Sequence, residues 1–163
     1  INFRIMNPYS LINFLCSIIY FNIGLFGLSF DHKSRLNRLF FYICICFSIW
    51  AFCFCFLHSS ETQSAREFWY DLSSLGWCMF SGFTLHYIFC LTEFHYVLKR
   101  KWIWIPLYAP GIFFSASEFL GTFASVGFVR VGYGYSEIPP IDDPVYYLFL
   151  LYQSGYILSL IHI

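Results

Sequence analysis

Charge is scarce in this 163-residue chain: nine basic and nine acidic residues make up 11% of it, and they cancel. Soluble domains carry about a quarter charged residues, so this chain cannot cover a globular surface with polar groups, and lipid must be part of its solvent. The zero net charge gives no reason to expect nucleic acid as a partner, and no polybasic tract points to anionic head groups. The polar stretches contain no cysteine, which excludes a disulfide framework across loops. No metal-ligand constellation, nucleophile elbow, kinase signature or phosphate-binding glycine pattern occurs, so the sequence implies no cofactor, no metal site and no catalytic residues.

What fills the space is apolar. Hydrophobic residues make up 59% and aromatic residues 25%, with 22 Phe and 13 Tyr, and the mean hydropathy is +0.64. The seven cysteines all lie in apolar runs. Cys44-x-Cys46 and Cys53-x-Cys55 look like metal motifs, but on a helix residues two apart face different ways. They read as small apolar fillers of a membrane core.

Five apolar runs define the organisation. Leu11–Phe30 is uncharged and about 30 Å long as a helix, enough to span a bilayer. Its basic residues follow it and no small-x-small site is present, so it is a retained helix rather than a signal peptide. Residues 39–57, 72–92 and 103–123 predict three more complete spans, with polar stretches at 31–38, 58–71 and around Lys99-Arg100-Lys101. A Gly-, Pro- and acid-rich loop follows at 124–144, within which Phe128–Tyr135 partly alternates and fits a short hairpin. A fifth run, 145–157, begins near the end of the chain. The fold class expected is an all-α, polytopic transmembrane bundle of four complete helices and a truncated fifth.

Basic residues set the orientation. Lys33, Arg35 and Arg38 follow the first helix and Lys99, Arg100 and Lys101 follow the third, so six of the nine basic residues share one side. That side is the cytoplasm, and the N-terminus is outside. Trp102 and Trp104 then anchor the inner interface, and Trp69 and Trp77 bracket the outer start of helix three. Pro106 and Pro110 predict a kink or late start in helix four, because each lacks an N–H.

Both ends carry unusual features. Met6 heads Met6-Asn7-Pro8-Tyr9 and reads as the initiator, with residues 1–5 as an upstream tail. Leu158-Ser159-Leu160-Ile161-His162-Ile163 is the translation of a sequencing-library transposon end, so residues 158–163 are expected to be adapter-derived.

Polar groups inside spans ask for a partner or a role. His86 has Gly82 and Cys90 one turn away, and Glu118 shares a small, polar face with Gly111, Ser115, Gly121 and Thr122. At the standard rise the two differ in depth by roughly 13 Å in a core of about 30 Å, too far for direct contact. For His86 an interhelical hydrogen bond is the simpler reading beside ligand or proton sensing. For Glu118 structure and function stand level. In the outer loop, Tyr133 and Tyr135, with Glu137, Asp142 and Asp143, can meet an extracellular ligand or simply connect helices.

The order of several blocks adds a further expectation. Asn37-Arg38-Leu39-Phe40 leading to Ser48-Ile49-Trp50-Ala51-Phe52, then Phe68-Trp69-Tyr70, Leu75-Gly76-Trp77, Leu85-His86-Tyr87 and Leu107-Tyr108-Ala109-Pro110 resemble the N-terminal seven-helix region of bacterial histidine kinases. That region also precedes diguanylate cyclases. The resemblance covers about residues 6–157, the first five of seven helices. It implies a sensory input module in the bacterial cytoplasmic membrane, without enzymatic activity of its own. Its implied partners are the bilayer, an unidentified small-molecule or membrane signal and a cytoplasmic output domain; homodimerisation is left open. A fragment of a polytopic transporter or channel is the alternative, with Glu118 and His86 on a substrate path.

Overall fold

The computed structural model describes residues 7–92, 98–122, 127–132 and 134–161; Met6, Tyr133 and His162 lie outside them. The first helix, α1, spans Pro8–Phe30, and α2 spans Arg35–Ser59. Next come α3 (Gln63–Trp77) and α4 (Phe80–Leu91), then a 3₁₀ turn at Lys101–Ile103 leading into α5 (Trp104–Phe119). Strands β1 (Gly127–Val131) and β2 (Gly134–Ile138) precede α6 (Pro144–Ile161). The chain is thus mostly helical but not all-α. The two strands pair antiparallel, Gly127 opposite Ile138 and Val131 opposite Gly134, leaving two residues between them. The first of these, Gly132, has φ +48°, the left-handed region that tight hairpins need and glycine reaches without strain.

Three stretches are long and apolar enough to cross a membrane: Pro8–Phe30, Arg35–Ser59, and Gln63–Leu91 taken through α3 and α4. Their mean hydropathies over the most apolar window are 1.9, 2.4 and 1.3. On α1 an almost unbroken apolar surface stays uncovered, including Ile12, Leu15, Ile19, Phe26 and Phe30, as expected where lipid rather than protein is the neighbour. Helix α5, which carries the expected 103–123 span, is shorter than the 21 residues expected. It has 16 residues, about 24 Å at the standard rise.

Helix ends explain these differences. Asn7 caps α1 by accepting from the Tyr9 N–H at 3.0 Å, with Pro8 in the first turn, where its missing N–H costs nothing. Thr62 caps α3, its hydroxyl accepting from the Ala65 N–H at 3.3 Å. Helix three therefore starts nine residues before the apolar run at Leu72. At the other end of α5, Gly121 (φ +63°) stops the helix. Its N–H donates to the Glu118 carbonyl and the Thr122 N–H to the Ser117 carbonyl, both at 3.0 Å, the paired bonds of a glycine-terminated helix. Gly121 and Thr122 thus belong to the stop rather than to the helical face of Glu118.

Small residues set the helix spacing. A Cβ on Gly76 would lie 2.4 Å from the Cys46 carbonyl oxygen, and one on Gly82 2.5 Å from that of Leu107. Ser17 and Ser48 meet between α1 and α2, the Ser48 hydroxyl donating to the Ser17 carbonyl at 2.9 Å. The most deeply buried side chains are Leu57 together with Cys53, Cys78, Ser10, Ser73 and Ser74. This is a thin core of thiols and hydroxyls, suited to close helix approach rather than to a bulky oil-drop interior. Six of the seven cysteines are buried, and all are free thiols.

Helix direction places Lys33, Arg35 and Arg38 at the same end as Lys99, Arg100 and Lys101. Leu39, Cys90 and Leu98 pack together there with Leu36. The hairpin closes the opposite end. The Tyr135 N–H donates to His58 Nδ1 at 3.3 Å, Arg66 lies 4.2 Å over the Tyr135 ring, and Phe128 meets Tyr70 edge-on at 5.8 Å.

Candidate functional site

The α3–α4 junction organises the interior. Cys78 and Met79 keep right-handed helical dihedrals, yet the regular ladder is interrupted between Trp77 and Phe80. Carbonyls near the interruption find partners on other helices. The Tyr152 hydroxyl donates to the Cys78 carbonyl at 2.8 Å and the Gln153 amide to that of Trp77 at 3.1 Å. One turn earlier, the Ser115 hydroxyl donates to the Ser74 carbonyl at 3.0 Å. The other end of the Gln153 amide accepts from the Ser81 hydroxyl. Gly111 allows the approach, since a Cβ there would lie 2.9 Å from the Cys78 carbonyl oxygen.

A similar repair occurs on α5. Pro110 has no N–H to offer the Pro106 carbonyl, four residues back, and that carbonyl accepts instead from the Tyr156 hydroxyl. Pro106 itself sits in the first helical turn, where no intrahelical donor is missed. The prolines thus coincide with the late start at Trp104 and with a docking point for α6.

Above the junction lies a cavity of about 290 Å³. Trp50 and Phe54 of α2, Tyr70 and Trp77 of α3, and Tyr146 and Phe149 of α6 supply aromatic walls. Glu118 from α5 and Glu137 from β2 supply its carboxylates. Glu118 is 7% exposed, and none of the described residues hydrogen-bonds its carboxylate. Its charged neighbours are Asp71, Asp143 and Glu137, all acidic. Glu137 is exposed along the hairpin edge, but it also lines the cavity. Desolvation there raises it above the ordinary carboxylate range, and the nearby Tyr70 hydroxyl pulls the other way. No lysine or arginine is among the residues lining the cavity.

His86 occupies a separate place. It is 4% exposed, its Nδ1 is 2.6 Å from the Tyr108 hydroxyl, and its ring meets Trp104 edge-on at 4.8 Å. Its Nε2 is buried without a partner among the described residues. Tyr108 is ten residues, about 15 Å, before Glu118 on α5, so the structure does not bring the two polar groups together.

The remaining predicted positions divide similarly. Trp69 stacks on Phe56 at 4.5 Å, and Trp102 is exposed beside the basic cluster. Trp77 is not at the start of its helix, because α3 begins at Gln63. It lies about 21 Å further along, bonded to the Ser73 hydroxyl at 3.0 Å and packed on Phe149. Tyr135 docks the hairpin, and Tyr133 falls outside the described residues. Sequence reasoning missed Gln153, Tyr152, Tyr156 and the place of Glu137 in the cavity lining. A glutamine within an apolar run was the available signal. Among the described residues, no group of three or more His, Cys, Asp or Glu is placed to hold a metal ion.

No family profile, curated protein or solved structure matches the chain.

Proposed function

We propose that the chain is the membrane-embedded sensory input module of a bacterial signal-transduction protein, in the first instance a histidine kinase. In this reading it lies in the cytoplasmic membrane with its N-terminus outside and passes a signal to a cytoplasmic output domain. The observation that carries the reading is the Glu118 cavity, which sits at the end of the bundle opposite the six clustered basic residues. With those residues in the cytoplasm, the cavity lies toward the outer end of the bundle, beside Glu137 of the hairpin. The resemblance to the seven-helix region of histidine kinases supports the same assignment.

A ligand there acts on a helix that also holds the interior together. Phe149 and Leu150 line the cavity, while Tyr152 and Gln153, one turn further along α6, bond the α3 carbonyls. A signal that binds two packings of α6 unequally shifts their populations, and only that difference in affinity does so.

A transporter or channel is the second reading, favoured by the interrupted helix beside the cavity, since broken helices frame substrate sites in transporters. The longer coding sequence separates the two. Dimerisation and ATP-binding motifs downstream are the expected finding. Further hydrophobic repeats without an output domain would assign the chain to transport, and a gene ending directly after a seventh helix would remove the kinase reading.

A further inference from the structure

The cavity combines three properties. Its walls are aromatic side chains from four helices, it holds two carboxylates, and no cation is among the described residues that line it. Ordinarily a carboxylate as buried as Glu118 is paired or receives several hydrogen bonds, because removing it from water is costly. The basic residues described at this end are engaged elsewhere. Arg66 donates to the Ser60 and Glu61 carbonyls at 3.0 and 3.1 Å and to Gln63 at 3.2 Å, and Arg130 is exposed on β1.

We infer that this cavity binds an organic ammonium ion, with Glu118 as its counter-charge and the rings of Trp50, Tyr70 and Trp77 as its walls. The chemistry follows from the lining. A compact inorganic cation needs a shell of oxygen ligands, and only two carboxylates line this cavity. A substituted ammonium carries its charge inside an apolar envelope, which aromatic faces attract through their quadrupoles. An anion would meet two carboxylates and no donor cation. Such an ammonium can arrive as a free solute or as the trimethylammonium head group of a choline lipid at the outer surface; both present the same charge and size. This inference deepens the sensory reading by naming the class of signal, but ammonium binding at this site does not depend on any output domain.

The test uses the full 163-residue chain in maltoside micelles, which contain no ammonium group. Choline is titrated while tryptophan emission is followed, beside its neutral carbon isostere 3,3-dimethylbutan-1-ol. The expected result is a saturable response to choline, with the isostere at least about tenfold weaker. Glu118→Gln should weaken choline by a similar factor while leaving the isostere unchanged, and Glu137→Gln should weaken it less. Far-UV circular dichroism checks that each variant retains its helices. If Glu118→Gln does not fold, the choline-to-isostere ratio of the native chain and the Glu137→Gln variant still decide the matter. Doping the micelles with phosphatidylcholine, against phosphatidylglycerol as control, identifies the source. Loss of choline affinity with the former alone points to the lipid head group, and no loss points to a free solute. A lack of saturation, equal responses to choline and isostere, or an unchanged affinity in folded Glu118→Gln would overturn the inference. None of these outcomes bears on whether a kinase follows the chain.

Discussion

At the scale of single residues, Gln153 illustrates how a polar side chain in an apolar helix finds its place. Its amide has both a donor and an acceptor to satisfy, and the α3–α4 junction supplies both, through the Trp77 carbonyl and the Ser81 hydroxyl. Replacing it with leucine leaves two buried groups unpartnered. Gln153→Leu should lower unfolding stability in mixed micelles by about 1–3 kcal/mol, read from reversible unfolding curves. Tyr152→Phe removes a single hydroxyl and should cost less, about 0.5–1.5 kcal/mol. An effect of Gln153→Leu no larger than that of a lipid-facing substitution such as Ile12→Leu would show that the junction carbonyls do not need α6. His86 is a quieter case. Its bond to Tyr108 accounts for one ring nitrogen, and the other faces no described partner.

At the scale of elements, prolines and glycines act by what they remove. Pro110 takes an N–H from α5, and Tyr156 of α6 occupies the carbonyl so released. Pro110→Ala should restore the missing intrahelical bond and make Tyr156→Phe nearly neutral. Tyr156→Phe alone should cost about 0.5–1.5 kcal/mol. A double-mutant cycle with a coupling energy of at least about 0.5 kcal/mol is therefore expected, and strict additivity would contradict the account. Gly76 works by absence of volume. Because a Cβ would lie 2.4 Å from a backbone oxygen of α2, Gly76→Ala must push two helices apart and should destabilise by about 1–3 kcal/mol. The caps are equally decisive for element length. Thr62 begins α3 well before its apolar stretch, and Gly121 ends α5 four residues before its apolar stretch ends. Hydropathy marks where a helix can be buried, whereas caps mark where its hydrogen bonds stop, and the two boundaries need not coincide.

At the scale of the whole molecule, the antiparallel succession of helices gathers six basic residues at one end and the cavity, hairpin and acidic residues at the other. Enzyme-reporter fusions test the membrane orientation that this separation supports. A periplasm-active reporter joined after Ser60 should be active, and the same reporter joined after Arg38 should be silent. The reverse pattern would invert the topology and place the cavity toward the cytoplasm, removing the basis for an external signal.

Much of this was legible in the residues themselves. The apolar runs, the clustering of Lys and Arg, the hairpin near Phe128–Tyr135 and the polar singularity of Glu118 all follow from composition and local pattern, because helix formation and charge placement depend on neighbouring residues. The depth separation of His86 and Glu118 was also accessible, being set by the rise per residue. The partners of those groups were not. That Glu118 meets Trp77 and Phe149 across a cavity, that α6 repairs the carbonyls of α3 and α5, and that Glu137 lines the same cavity depend on which helices approach one another. Such approaches are set by small residues far apart in the chain, Gly76 against Cys46, Gly82 against Leu107 and Gly111 against Cys78. The sequence by itself determined which segments are helical and which end carries the charge; only the tertiary structure decided what the buried polar groups face, because that depends on contacts between residues that no local pattern relates.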